Sequence, residues 1–220
     1  LLTIDHHQLH EPEGEAYYID CSYAAAAEMV YMLWREAGAP IDHDSALCLY
    51  VGQSTDTGCY RFGNTNKRSH EIAAHLLECG IDTGPVCAQI FDVMTPAKVE
   101  LLRRVLNRLE RLAEGQVACT YLTRADLREV EASREDADGL VNYARNIEGV
   151  KAGVLFTETA DDETKVSLRA QCADFNVASF AQRFGGGGHA AAAGLTLEAP
   201  LDAAREKVLD ALTEAVEAGT

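Results

Sequence analysis

The sequence predicts an α/β protein of two lobes joined by an amphipathic helix, on three observations. An apolar opening, Leu1-Leu2-Thr3-Ile4, reads as the tail of a buried strand, and helix-like segments follow it as far as Gly80. Residues Thr95 to Glu114 repeat apolar side chains (Val99, Leu102, Val105, Leu106, Leu109, Leu112) with arginines on the other faces, a pattern that suits a connector. After Gly115 the texture changes to short β-like runs separated by helical segments. The expected boundaries are 1–94 for the first lobe, 95–114 for the connector helix and 115–220 for the second lobe.

In chain order, Leu1 to Ile4 delivers Asp5-His6-His7 into a loop at a strand's carboxyl end, and Glu11-Pro12-Glu13-Gly14 is an irregular acidic connection. Cys21 to Gly38 is expected to be a helix capped by Ser22, with Ala24 to Ala27 of high propensity and Met29, Val30, Leu33 and Trp34 at helical spacing. Asp42 to Gln53 is a second helix running into Ser54-Thr55-Asp56-Thr57-Gly58, and Asn66 to Gly80 a third, stopped by its glycine. Strands are expected at Val117 to Leu122, Gly153 to Thr159, Lys165 to Ala170 and Ala191 to Leu197. The middle two form a hairpin across a five-residue loop, Thr159 to Glu163. Helices are expected near Arg124 to Val130, Asn176 to Phe184 and Leu201 to Ala218.

Composition narrows the function. With 220 residues and 47% hydrophobic content the chain can bury one good core or two modest ones. A net charge of −16 excludes a protein that coats long nucleic acid by bulk attraction, so a polyanionic substrate must be small and held locally, or through metal ions that reverse the field. No apolar run approaches the roughly 20 residues of a membrane span, and no leader pattern opens the chain, which points to a soluble cytoplasmic protein with no membrane partner. The seven cysteines (Cys21, Cys48, Cys59, Cys79, Cys87, Cys119, Cys172) lack any C-x-x-C spacing and read as reduced, mostly buried thiols. The chain opens without Met in what looks like mid-strand, so an N-terminal portion is expected to precede it.

Three constellations could carry chemistry. Asp5-His6-His7 offers two imidazoles beside a carboxylate, hence nitrogen ligands, a tautomer-fixing acceptor and a proton donor; an exposed polar turn is the plainer alternative. Asp56, in a turn flanked by hydroxyls, could be an oxygen ligand, and mixed His and Asp donors suit Mn²⁺ better than zinc; an Asx turn is the alternative. His10, His43, His70 and His75 add nothing to these and read as surface or packed histidines. The third is Phe184-Gly185-Gly186-Gly187-Gly188-His189, with Arg169 on a strand just upstream. Backbone amides, an imidazole and a guanidinium make an anion receptor there, whereas a hinge or a β-bulge would explain the glycines alone. The spacing is neither a G-x-G-x-x-G nor a Walker A loop.

Taken in this order, the three elements resemble the DHH phosphoesterase superfamily with its DHH-associated C-terminal domain. The D-H-H signature falls at Asp5-His6-His7, the Thr-Asp-Thr-Gly element at Thr55 to Gly58, and the associated domain's glycine-histidine block at Gly185 to His189 with Ala192-Ala193-Gly194. Gly139-Leu140-Val141-Asn142-Tyr143 and Val166-Ser167-Leu168-Arg169 look most like the nanoRNases that also dephosphorylate 3′-phosphoadenosine 5′-phosphate. The resemblance implies the C-terminal part of a parallel-sheet catalytic domain, a connector and a smaller mixed-sheet domain, with the active site in a cleft between lobes. It implies a two-metal, usually manganese-dependent phosphoesterase, with Mg²⁺ or Co²⁺ as alternative ions. By position, His6 and Asp56 match metal ligands, Asp5 would orient His6, and His7 would face the scissile phosphate. Arg169, Gly185, Gly186, Gly187, Gly188, His189 and Asn142 would bind a short oligonucleotide or phosphonucleotide; a homodimer is compatible with the sequence.

The chain departs from the family where it lacks an H-x-x-x-D-x-D motif and a further bridging Asp. The expectation is therefore that the 220-residue polypeptide binds Mn²⁺ weakly and does not hydrolyse significantly, whereas a full-length parent would. A nucleotide-binding module without hydrolysis is the rival of another class. Single-strand exonucleases, cyclic-dinucleotide phosphodiesterases and pyrophosphatases are rivals within the superfamily.

Overall fold

A computed structural model describes residues 1–7, 14–171 and 175–218. The expected acidic connection Glu11-Pro12-Glu13, His10 and Cys172 lie outside the described residues. The chain divides into two compact units, Leu1–Val93 and Met94–Thr220.

In the first unit β1 (Leu2–Asp5) and β2 (Ala16–Ile19) pair in parallel, in register Leu2 with Ala16 through Asp5 with Ile19. Parallel pairing puts both carboxyl ends on the same side, so whatever follows β2 lies beside whatever follows β1. Three helices pack together: α1 (Ala26–Glu36), α2 (His43–Asp56) and α3 (Lys67–Glu78). Their shared core comprises Tyr31, Ala46, Leu49, Tyr50, Ile72, Ala73 and Leu76, with Ile81 just beyond α3. Asp42 and Asn66 cap α2 and α3 by accepting from Ser45 N and Ser69 N, and Asn66 completes a reciprocal capping box with Ser69. A short α4 (Thr83–Cys87) runs into a π-helical turn, Ala88–Asp92.

Two expectations for this unit fail. Ser22 does not cap α1, which begins at Ala26 with no side-chain cap; the buried Glu28 carboxylate instead accepts from Ala24 N at 3.1 Å. The thiols are also less buried than expected: only Cys119, in the second unit, is buried among the described cysteines, while Cys21 and Cys48 are exposed.

The second unit holds a six-stranded sheet in the order β3-β4-β5-β6-β8-β7, formed by β3 (Glu110–Leu112), β4 (Val117–Leu122), β5 (Ala152–Ala160), β6 (Glu163–Ala170), β7 (Gly187–His189) and β8 (Ala192–Leu197). Only β4 and β5 pair in parallel; the rest is antiparallel. Alternation sorts the side chains onto two faces. Val154, Phe156, Val166, Leu168, Ala193 and Leu195 point into the main core, which α8 (Val177–Gln182) and α9 (Leu201–Glu217) cover. On the opposite face Leu122 and Leu155 pack with Leu140 and Val141 and with Leu101 and Val105 of α5 (Pro96–Asn107). Two short helices, α6 (Arg124–Glu129) and α7 (Val141–Arg145), complete the unit.

The expected connector helix over 95–114 is the largest correction. The helix ends at Asn107, and residues 110–112 instead pair antiparallel with 117–119. Three consecutive left-handed residues, Ala113, Glu114 and Gly115 at φ 50°, 53° and 87°, reverse the chain between those strands. Strand pairing overrides the helix propensity of the stretch. Nor is α5 a solvated spacer, because Leu101 and Val105 are fully buried and two of its flanking arginines are tied down. Arg104 Nη1 donates to Asp126 Oδ1 at 2.7 Å and Arg108 reaches both carboxylate oxygens. Asp126 also accepts from Thr123 N and Oγ1, and these donors together hold its carboxyl well below the usual range against the opposing effect of burial. The β5–β6 hairpin is tighter than expected, since Ala160 pairs with Glu163 across only Asp161 and Asp162.

Candidate metal centre and anion-binding face

The first site grows from the parallel pairing of β1 and β2. Asp5 ends β1 and sets His6 and His7 just beyond it, while the turn after β2 brings the Tyr23 carbonyl to His6 Nδ1 at 3.3 Å. An imidazole that gives its Nδ1 proton to a carbonyl carries its lone pair on Nε2, so His6 presents Nε2 as a donor atom. That atom stands 3.5 Å from Asp56 Oδ2 at the end of α2.

This explains why residues 21–25 stay out of α1: a helix begun at Cys21 would commit the Tyr23 carbonyl to the helical ladder. The turn is clamped from three sides. Arg68 lies over the Tyr23 ring at 3.7 Å and donates to Ser22 O at 2.5 Å, Asn64 Nδ2 donates to Ala24 O at 3.0 Å, and Glu28 takes the Ala24 amide. Asp56 is fixed by a tight loop after α2. Gly58, Cys59 and Tyr60 are all left-handed, at φ 56°, 56° and 60°, and buried Thr57 both donates to Gln53 O and accepts from Tyr60 N.

Asp5 does not orient His6 as the resemblance implied. Its Oδ1 accepts from His7 N at 2.9 Å and contacts His7 Nδ1 at 2.6 Å, a carboxylate–imidazole pair in which Asp5 positions His7. The His7 amide, chiefly, keeps the Asp5 carboxyl below its ordinary range; partial burial opposes this and the His7 ring adds to it. Ligand atoms of Asp5, His6 and His7 lie within 4.8 Å of one another, the one such His/Cys/Asp/Glu group among the described residues.

These donors fit a divalent cation. Two ligands each about 2.1 Å from one ion are about 3.0 Å apart at a right angle and about 3.4 Å apart at a tetrahedral angle, close to the 3.5 Å between His6 Nε2 and Asp56 Oδ2. A nitrogen and carboxylate set without thiolate suits a hard or borderline divalent ion.

The second site lies on the sheet of the other unit, on the face that carries α7. Register puts Gly153, Arg169, Ala192 and His189 in one row across β5, β6, β8 and β7, with Ser167, Gly194 and Gly187 in the next. Arg169 and His189 therefore flank a floor of alanine and glycine. Arg145 of α7 packs its backbone on Gly153, where a Cβ would meet Arg145 N at 2.5 Å, and Asn142 lies one helical turn earlier on the same helix. Arg169 is partly buried, with Nη1 on Leu168 O at 2.9 Å. Burial pulls its guanidinium below the usual range and the charge of Arg145 adds to this, with Asp138 opposing. A bound anion would relieve both effects.

The four glycines separate by cause. Gly185 is left-handed at φ 77°. A Cβ on Gly186 would strike Gly194 O at 2.3 Å, and one on Gly188, at φ 139°, would strike Ala192 O at 2.5 Å. Those three are required by the fold. Gly187 is not: a Cβ there meets nothing within 4 Å, its φ is unremarkable for an L residue, and it faces the Arg169–His189 side. The second half of the run, with His189, is a short edge strand, β7, which the sequence reading missed because glycine is a poor strand former. Tyr23 and Arg145 were missed as well; the carbonyl of the one and the proximity of the other leave no residue-type signal.

Residues 114–218 match the DHHA1 domain. The chain is 33% identical over 215 residues to the bifunctional oligoribonuclease and PAP phosphatase of Thermus thermophilus, covering 97% of this chain and 64% of that protein. It is 28% identical over 200 residues to the protein of the same name from Bacillus subtilis, covering 90% of this chain and 62% of the relative. It thus spans slightly less than two thirds of the length of these relatives. The structure of an exopolyphosphatase-related protein from Bacteroides fragilis shares the fold, at a TM-score of 0.90 and 24% identity, over 99% of this chain and 64% of that one. Among the described residues no helix is long and apolar enough to cross a membrane. Residues 114–218 thus carry a DHHA1 domain, and over most of its length the chain is similar to proteins named bifunctional oligoribonuclease and PAP phosphatase.

Proposed function

We propose that this chain is part of a metal-dependent phosphoesterase acting on short oligonucleotides and on 3′-phosphoadenosine 5′-phosphate, with manganese as the working ion. The observation that carries the reading is the open Gly187 position on the face that carries Arg169 and His189: the fold does not require that bareness, and a ligand's approach would. The relatives' names supply the substrate class.

His6 and Asp56 would hold the cation, which when bound neutralises phosphoryl charge and acidifies water. His7, steadied by Asp5, would hold a proton toward the leaving oxygen, a role that needs a fixed ring and an adjacent carboxylate. Arg169 and Arg145 would take a terminal phosphate, the glycine floor would let its oxygens meet backbone amides, and His189 and Asn142 would border it. Gly185, Gly186 and Gly188 serve this site by shaping β7.

Donor count limits what 220 residues do alone. Among the described residues Asp5, His6, His7 and Asp56 supply four protein ligands at most, and a two-metal site of the phosphatase kind needs about six to eight donor positions. The chain therefore binds Mn²⁺ weakly and nucleotide by its second unit, with turnover requiring a longer form. The test is calorimetric titration of the chain with Mn²⁺ and with 3′-phosphoadenosine 5′-phosphate, beside hydrolysis assays of this chain and of a longer form on a linear dinucleotide. Failure of the nucleotide to bind would sink the receptor, and brisk turnover by the 220-residue chain would sink the donor count.

A further inference from the structure

The loop that fixes Asp56 contributes one of an unassigned pair of thiols. Cys59 Sγ lies 3.8 Å from Cys87 Sγ, and the Tyr50 hydroxyl lies 3.7 Å from the same Cys87 sulfur. Both cysteines are partly accessible. They belong to different elements, Cys59 to the left-handed turn after α2 and Cys87 to the end of α4, 28 positions apart. Among the described residues no other two thiols make such a contact.

We infer that Cys59 and Cys87 are a site of reversible oxidation, closed to an intramolecular disulfide by a small hydroperoxide. The sulfurs need only close from 3.8 Å to about 2.05 Å. One sulfur, as thiolate, attacks a peroxide oxygen; the O–O bond breaks, hydroxide leaves and is protonated to water, and a sulfenic acid forms. The other sulfur then attacks the sulfenic sulfur, the S–O bond breaks, and hydroxide departs as a second water with that thiol's proton. Two electrons pass from the sulfurs to the peroxide, and the balance is two thiols and one hydroperoxide giving one disulfide and two waters when the oxidant is hydrogen peroxide.

Burial, with the Cys87 sulfur adding, holds the Cys59 thiol above its usual range, so the reaction is slow at neutral pH and quickens in alkali. The bond would join the loop behind Asp56 to α4. This site stands independently of the phosphoesterase reading.

The test uses the unsubstituted chain with hydrogen peroxide, read by intact mass, thiol titration and peptide mapping. Two of the seven thiols disappear, the mass falls by two hydrogens, Cys59 is recovered linked to Cys87, the yield does not depend on protein concentration, and dithiothreitol reverses it. Cys59→Ser and Cys87→Ser each leave a single sulfenic acid at the remaining partner, trapped by dimedone. The inference is overturned if Cys59 and Cys87 both stay alkylatable at a peroxide dose that oxidises the exposed Cys21 and Cys48, or if mapping pairs either with another cysteine.

Discussion

Neighbouring glycines in one strand should respond oppositely to the same methyl group, and the contrast separates the fold's needs from the ligand's. In Gly188→Ala the new Cβ lies 2.5 Å from Ala192 O and 2.7 Å from Ala193 Cα, at a φ of 139° that L residues avoid. Strain of that kind costs about 1–3 kcal/mol, and because β7 is a three-residue edge strand the substitution should loosen it from β8. In Gly187→Ala the Cβ meets nothing, so stability should hold or rise by about 0.4–1 kcal/mol as the unfolded chain loses freedom. Affinity moves the other way. The methyl would stand on the face of Arg169 and His189, one row along the sheet from them, where a phosphate oxygen must approach the backbone, and losing one charge-assisted hydrogen bond costs about 1.5–3 kcal/mol, or about 10- to 140-fold in Kd. Urea denaturation and calorimetric titration with 3′-phosphoadenosine 5′-phosphate measure the two quantities on each variant. Unchanged nucleotide affinity in a stable Gly187→Ala protein would refute the glycine floor as the ligand's seat. A marked loss of stability in that variant would refute the register that leaves the position open.

Other substitutions test the remaining contacts. His6→Ala should weaken Mn²⁺ binding by at least the ~10–100-fold that losing an outer partner of a ligand costs, by calorimetry. Arg68→Met, which frees the turn carrying the Tyr23 carbonyl, should weaken Mn²⁺ less than His6→Ala but more than an exposed control such as Lys67→Met. Arg169→Ala should raise the Kd for 3′-phosphoadenosine 5′-phosphate about 10-fold or more, and Arg169→Lys should restore little, since an ammonium cannot grip a phosphate two-pronged. Asp126→Asn takes the carboxylate charge from the Arg108 side chain, 28% exposed, and leaves that of Arg104, 17% exposed, with only Glu129 as an ionic partner; it should cost about 3 kcal/mol, the low end for breaking a buried pair. Because the folded-state pKa of Asp126 is depressed, its contribution is full above the unfolded value of about 4 and is lost as pH falls through the folded value. The stability gap between wild type and Asp126→Asn should therefore be constant near neutrality and narrow only below about pH 4.

What was legible in the sequence was whatever rests on local pattern. Val117–Leu122 appears as a strand with the expected bounds, and Asp42, Asn66 and Gly80 sit at helix ends as their chemistry suggests. The failures share one cause, a tertiary partner that outbids local propensity. Residues 110–112 look helical until β4 claims them, and Gly187 to His189 look like a glycine loop until β8 pairs with them. Residues 21–25 are the informative case. Four successive alanines argue for helix, yet the backbone stays open before Ala26 and an arginine, a buried glutamate and an asparagine are spent holding it so. Sequence departs from structure here because a carbonyl is wanted by His6, and a carbonyl has no residue type to betray it. The same reasoning bears on Asp5 and His7: the triplet names the groups, and only the bend beyond β1, in which the His7 amide and ring both turn back to Asp5 Oδ1, decides that Asp5 meets His7 and leaves His6 to the loop after β2.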